Sequence, residues 1–158
     1  MARLRSISRR IRSFVQLDAA RRTLLVEAAA WLLCARLALA FVPFPRLARR
    51  LGTFVSPTDS RVLHGPSPVP DEHRRIAGQI GWAVTRAARY VPFRAVCLPQ
   101  AIAARIMLGR RGVGSVLYFG AAKGTQDPFD AHAWLHAADV KVTGYPAAKT
   151  AVEIACFI

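Results

Sequence analysis

Tyr90-Val91-Pro92-Phe93-Arg94-Ala95-Val96-Cys97-Leu98-Pro99-Gln100 opens, and Asp130-Ala131-His132-Ala133-Trp134 closes, the stretch whose reading decides the fold. Between them lie a helix-like segment, a Gly-punctuated turn and a short β-like run. That order can set a thiol on a helix end opposite an imidazole on a strand, which is the layout of a cysteine nucleophile with its base. Pro99 suits a first helical turn. The helix then continues through Ala101, Ile102, Ile106, Met107 and Leu108 to Gly109 or Gly112. Cys97 therefore falls at or just before a helix N-terminus, where unpaired amides and the helix dipole favour the thiolate, the reactive form. A lone cysteine is ordinarily a small buried apolar residue; the loop-to-helix junction is what sets Cys97 apart.

His132 has the competing reading of a core or surface histidine. Ala131 and Ala133 leave room around its ring, and period-two alternation puts Trp134 on the same face, where it can exclude water. Val116-Leu117-Tyr118-Phe119 reads as one strand, His132 to Leu135 as a second and Val140 to Thr143 as a third, the last two forming a hairpin that turns near Ala137 to Asp139. Gly120 to Asp130 reads as a polar loop. Asp139 is close to His132 in sequence, but an extended segment from 132 to 138 separates them by about 20 Å at roughly 3.3 Å per residue. The hairpin sets Tyr145 opposite His132, with Thr143 and Gly144 nearby, and none of these is a carboxylate. Asp130 is then the nearest acidic candidate for a third catalytic member. The alternative is a dyad helped by a hydroxyl or a backbone carbonyl.

Upstream, Leu24 to Val42 is almost continuously apolar and stops at Pro43-Phe44-Pro45. Its length approaches the roughly 20 residues of a membrane span, but Glu27 and Arg36 would each cost about 2.5 to 3.5 kcal/mol near a bilayer centre. A mostly buried or membrane-associated helix is the better expectation, with Cys34 as a small core residue. Arg46 to Gly52 predicts a short second helix. Residues 53–70, rich in proline and serine, predict a loop carrying His64 as a surface residue, like His73. Asp71 is placed to cap a helix whose apolar face includes Ile76, Ile80, Ala83, Val84 and Ala87 and which ends by Val91, before Pro92. The apolar run 150–157 fits a helix or a strand.

These elements give a basic arm over residues 1–20, a helical extension with a Pro-rich loop over 21–70, and a core over 71–158. The 158 residues suffice for one domain with a real core. Hydrophobic residues make up 53% of them and charged residues 20%, which leaves apolar surface for a partner or a membrane. The net charge of +14 is mostly arginine, and Arg3, Arg5, Arg9, Arg10, Arg12, Arg21 and Arg22 precede the first apolar run. Such a balance attracts acidic partners of any kind. No helix-turn-helix, zinc-finger spacing or aromatic-basic RNA-binding pattern accompanies it, so nucleic acid is not expected. The three cysteines, Cys34, Cys97 and Cys156, are far apart and odd in number. They support neither disulfides nor a metal site and suit a reducing cytoplasm. No cofactor is expected.

The run Arg89 to Ala101, then Gly112-Val113, Phe119-Gly120 and Ala131-His132-Ala133-Trp134, together resemble the transglutaminase-like B proteins of lasso-peptide biosynthesis. Leu24 to Gly52 is similar to that family's helical lead-in. The resemblance implies an α+β fold with a papain-like core, in which a helix carrying the cysteine packs on a small antiparallel sheet carrying the histidine. It implies a cysteine peptidase that removes the leader of a ribosomally made precursor before an ATP-dependent cyclase closes the macrolactam. By match, Cys97 is the nucleophile and His132 the base. The family's aspartate follows the histidine by about a dozen residues, a place taken here by Thr143-Gly144-Tyr145. No leader-binding domain is visible, which implies a separate leader-recognition protein as partner, with the basic apolar N-terminal half as a docking surface for it, for the cyclase or for a membrane. The alternative is a non-catalytic scaffold of the same fold that binds a peptide or partner.

Overall fold

The computed structural model describes residues 17–63, 68–122, 130–145 and 151–158. Most of the basic arm, His64 and most of the loop between Gly120 and Asp130 lie outside them, as does the side chain of Asp130.

Asp18 caps the first helix, α1 (Ala19–Phe41), its carboxylate accepting from the Arg21 amide at 2.7 Å. Leu25, Ala28, Leu32 and Ala35 recur every three or four residues and are buried. Only this face is covered, so the expectation of a mostly buried helix is corrected. Cys34 is likewise exposed rather than core, because it falls out of phase with those four. Pro43 ends α1 and starts α2 (Phe44–Arg50), whose Leu47 is buried.

The Pro-rich segment is not a plain loop. It contains β1 (Phe54–Val55) and a single turn of helix, α3 (Ser60–Leu63). Val55 is buried and pairs with Cys156, and Thr53 exchanges backbone hydrogen bonds with Ile158 at 3.0 and 3.1 Å. Long-range pairing thus overrides local turn chemistry.

Helix α4 (Asp71–Ala88) starts at its expected cap, Asp71, because the cap position lies one residue earlier, at Pro70. The Asp71 carboxylate pairs with Arg74 at 2.7 Å instead of an amide. Its Ala77, Ile80, Ala83, Val84 and Ala87 are buried. Helix α5 (Cys97–Gly109) buries Ala101, Ile102, Ala103, Ala104, Met107 and Leu108 in the same core.

Strands β2 (Val116–Ala122), β3 (Asp130–Ala137), β4 (Val140–Thr143) and β5 (Val152–Phe157) complete an antiparallel sheet in the order β1-β5-β2-β3-β4. Alternation divides it into two faces. The inner one, with Leu117, Ala133, Leu135, Ala137, Val142 and Phe157, joins the helices in one core. The outer one carries a separate cluster of Val55, Tyr118, Trp134 and Cys156.

Two side chains fasten helices to this core. Arg105 on α5 donates to the carbonyls of Ser115 at 2.7 Å and Phe157 at 3.1 Å, clamping β2 to β5. Arg111 grips the Glu27 carboxylate with two hydrogen bonds, at 3.0 and 2.6 Å, holding α1 against the end of α5. The fold is α+β: the longer helices lie on one side of a small antiparallel sheet, preceded by a helical extension, while α3 packs Val62 against the outer cluster.

Candidate active site

Cys97 is the first residue of α5, after Val96 in extended conformation. Pro92 breaks the preceding chain, and Pro99 has the fixed φ that a first turn needs. Pro99 also lacks an N–H, and the first backbone bond of the helix runs from the Gln100 amide to the Val96 carbonyl at 3.3 Å. Among the described residues nothing accepts from the Cys97 and Leu98 amides, which remain the donors at this end. The Gln100 side chain reaches back to the Ala95 carbonyl at 2.7 Å and pins the turn that presents the thiol. Cys97 itself is half-buried and packs against the inner core.

His132 lies near the start of β3, paired with Gly120 of β2. Its ring stacks on Trp134, with centroids 6.0 Å apart and planes 21° from parallel. Trp134 in turn lies flat on Tyr118 at 5.7 Å. Gly120 is required by this stack, because a Cβ there would stand 2.6 Å from the indole.

His132 Nε2 lies 2.7 Å from the Gly144 carbonyl oxygen. A backbone carbonyl only accepts, so Nε2 carries the proton and Nδ1 of the neutral ring holds the free lone pair. The imidazole is therefore oriented, and its basic atom chosen, without a carboxylate. Two local features turn Gly144 toward it. The β3–β4 register slips between Leu135 and His136, so that Leu135 faces Thr143. Gly144 then adopts a φ of +88°, packed where a Cβ would lie 2.5 Å from that of Trp134.

The other candidates are placed elsewhere. Asp139 sits in the two-residue hairpin turn with Ala138, both at positive φ, and pairs with Arg74 at 3.3 Å. Asp130 is the first residue of β3, its backbone opposite Ala122. The Thr143 hydroxyl is buried with no hydrogen-bond partner among the described residues, so it does not orient His132. No hydrogen bond joins Cys97 to His132 among the described residues. The thiol packs on the helical side of the sheet, while the imidazole stacks on the outer cluster.

Residues 38–155 match the transglutaminase-like superfamily model. The chain belongs to the transglutaminase-like superfamily. That superfamily includes cysteine peptidases and transferases, and its model covers both Cys97 and His132. No curated protein and no solved structure matches the chain.

Beside His132 the outer face carries a second polar group, in which His136 is not singled out by the sequence. Tyr145 and His136 share a hydrogen bond, and Lys141 lies over the Tyr145 ring at 5.2 Å. Burial, followed by the Lys141 charge, lowers the His136 pKa. Burial pushes Tyr118 and Tyr145 up to about 12 and Cys156 up to about 11. Only strand alternation could have flagged His136, whereas hairpin geometry already brings Tyr145 to this side of the sheet. Among the described residues no group of three or more His, Cys, Asp or Glu side chains could hold a metal ion.

Proposed function

We propose that this chain is a cysteine peptidase that cleaves the leader from a ribosomally made lasso-peptide precursor, working in the cytoplasm with a separate leader-recognition protein and ahead of an ATP-dependent cyclase. The observation that carries the reading is the coincidence of a thiol on the first residue of a helix with a histidine tautomer fixed by the Gly144 carbonyl. Membership of the superfamily and the paired Cys97 and His132 blocks support it.

In this mechanism His132 Nδ1 takes the Cys97 proton and the sulfur attacks the carbonyl at the leader-core junction. The Cys97 and Leu98 amides stabilise the oxyanion. The C–N bond breaks as Nδ1 returns the proton to the departing amine, and water then hydrolyses the thioester, releasing a carboxylate and the free thiol. The histidine edge must come within hydrogen-bond reach of the sulfur for this, and since the two lie on different sides of the sheet, the mechanism requires the His132 ring or the start of α5 to rearrange when substrate binds.

Precursor incubated with the chain and its leader-recognition partner is expected to lose its leader, as read by mass spectrometry. The Cys97→Ala chain is expected to leave precursor intact while melting like the parent. Processing by Cys97→Ala would overturn the mechanism. The second reading, a non-catalytic peptide-binding scaffold, is favoured by the separation of Cys97 from His132 and by the lack of a carboxylate at Thr143-Gly144-Tyr145, where the resemblance places an aspartate. It predicts precursor binding without cleavage by parent and variant alike.

A further inference from the structure

Helix α1 is apolar all round, a pattern that belongs to helices covered on every side. Its core face is covered, but the opposite face is not. Val26, Ala30, Leu33, Leu37 and Phe41 form an exposed stripe, with Val26 at 62% and Phe41 at 80% exposure; beyond the bend the partly exposed Phe44 packs edge-on against Phe119. The superfamily match begins at residue 38, so Val26 to Leu37 lie outside it and Phe41 and Phe44 inside it.

The charge around the stripe decides its occupant. Residues 1–16 hold five arginines and no acid, and residues 17–50 hold six arginines against Asp18 and Glu27. Glu27 is already neutralised by Arg111. Arg36, Arg46, Arg49 and Arg50 are exposed and pair with no described residue. A second copy of the chain would set the same arginines against one another, and the exposed stripe, Val26 to Phe41, falls short of the roughly three heptads, about 21 residues, that a coiled-coil seam needs. An apolar strip bordered by unpaired arginines, with an aromatic at its end, suits the boundary between acyl chains and anionic headgroups.

We propose that the outer face of α1 lies in the plane of an anionic lipid surface, with Arg36, Arg46, Arg49 and Arg50 on the headgroups. The helix cannot instead cross the bilayer while the domain stays folded, because Leu25, Leu32 and the Glu27–Arg111 pair hold its other face to the core. This inference does not depend on peptidase activity.

Flotation of the full chain with phosphatidylglycerol vesicles and with pure phosphatidylcholine vesicles tests it. Binding is expected to the first and not the second, falling at least tenfold as salt rises from about 0.1 to about 1 M. The double variant Leu33→Glu/Leu37→Glu changes two exposed side chains and is expected to melt like the parent while losing at least tenfold in binding. Arg49→Gln/Arg50→Gln gives a second reading should the first variant fold poorly, with an expected loss of about tenfold or more. A parent chain that does not float with anionic vesicles, or variants that float equally well, would overturn the proposal. So would a parent dimer that ignores vesicles and that the leucine variant converts to monomer, which would assign the stripe to protein contact.

Discussion

The two ends of the candidate site are built by different means. The Cys97 end is local: Pro92, Pro99 and the Gln100 side chain fix a loop-to-helix junction within a dozen residues, and a thiol at its first position needs nothing more. The His132 end is assembled from distant parts. Its ring depends on Trp134 and Tyr118 for its plane and on Gly144, reached through a register slip, for its proton. The first should therefore tolerate damage elsewhere in the sheet, and the second should not.

The sharpest separation comes from Trp134→Ala. Removing the buried indole is expected to cost about 3 to 5 kcal/mol in a thermal or denaturant melt. It also takes away the plate under His132 while leaving α5 in place. Gly144→Asp comes next. It puts an acidic residue within Thr143-Gly144-Tyr145, where the resemblance places an aspartate, yet its Cβ meets Trp134 at a φ of +88°. A loss of about 1 to 3 kcal/mol is expected, with no gain in cleavage; a stable, faster enzyme would show that the carbonyl contact is a poor substitute for a carboxylate.

Alkali is expected to loosen the outer face first. Cys156 and Tyr118 ionise later in the folded chain than in the unfolded one, because burial raises them from 9.0 to about 11 and from 10.0 to about 12. Their contribution is intact below about pH 9 and lost as pH climbs through 11 and 12. Near-ultraviolet circular dichroism of the stacked Tyr118 and Trp134 should change in that window. At the small end, Asp139→Asn is expected to alter stability by less than about 0.5 kcal/mol and to leave cleavage unchanged. A large loss of activity would return the turn aspartate to the site.

The same contrast marks what the sequence could convey. Helical periodicity and proline placement located α1, α2, α4 and α5, and alternation with the turn before Val140 located β3 and β4 with the hairpin's own residues. Strand β1 was hidden, because a two-residue edge strand is created by its partner β5 and leaves no period of its own. The uncovered side of α1, and with it the exposure of Cys34, was hidden because an all-apolar helix has no polar stripe to reveal its phase. Strand geometry alone placed Asp139 far from His132, and it named a backbone carbonyl among the substitutes for a carboxylate. Which carbonyl required the register slip, which depends on Gly144 fitting against Trp134 and not on any motif.

The most direct measurement of the central claim, that Cys97 and His132 act together, is the order in which iodoacetamide modifies the cysteines of the full chain, read by peptide mass spectrometry. Exposure alone would put Cys34 first, since Cys97 is half-buried and Cys156 buried. Cys97 is expected to react before Cys34, and His132→Ala is expected to slow Cys97 to the pace of an ordinary thiol without changing Cys34. Modification of Cys34 first, with a Cys97 rate indifferent to His132, would contradict it.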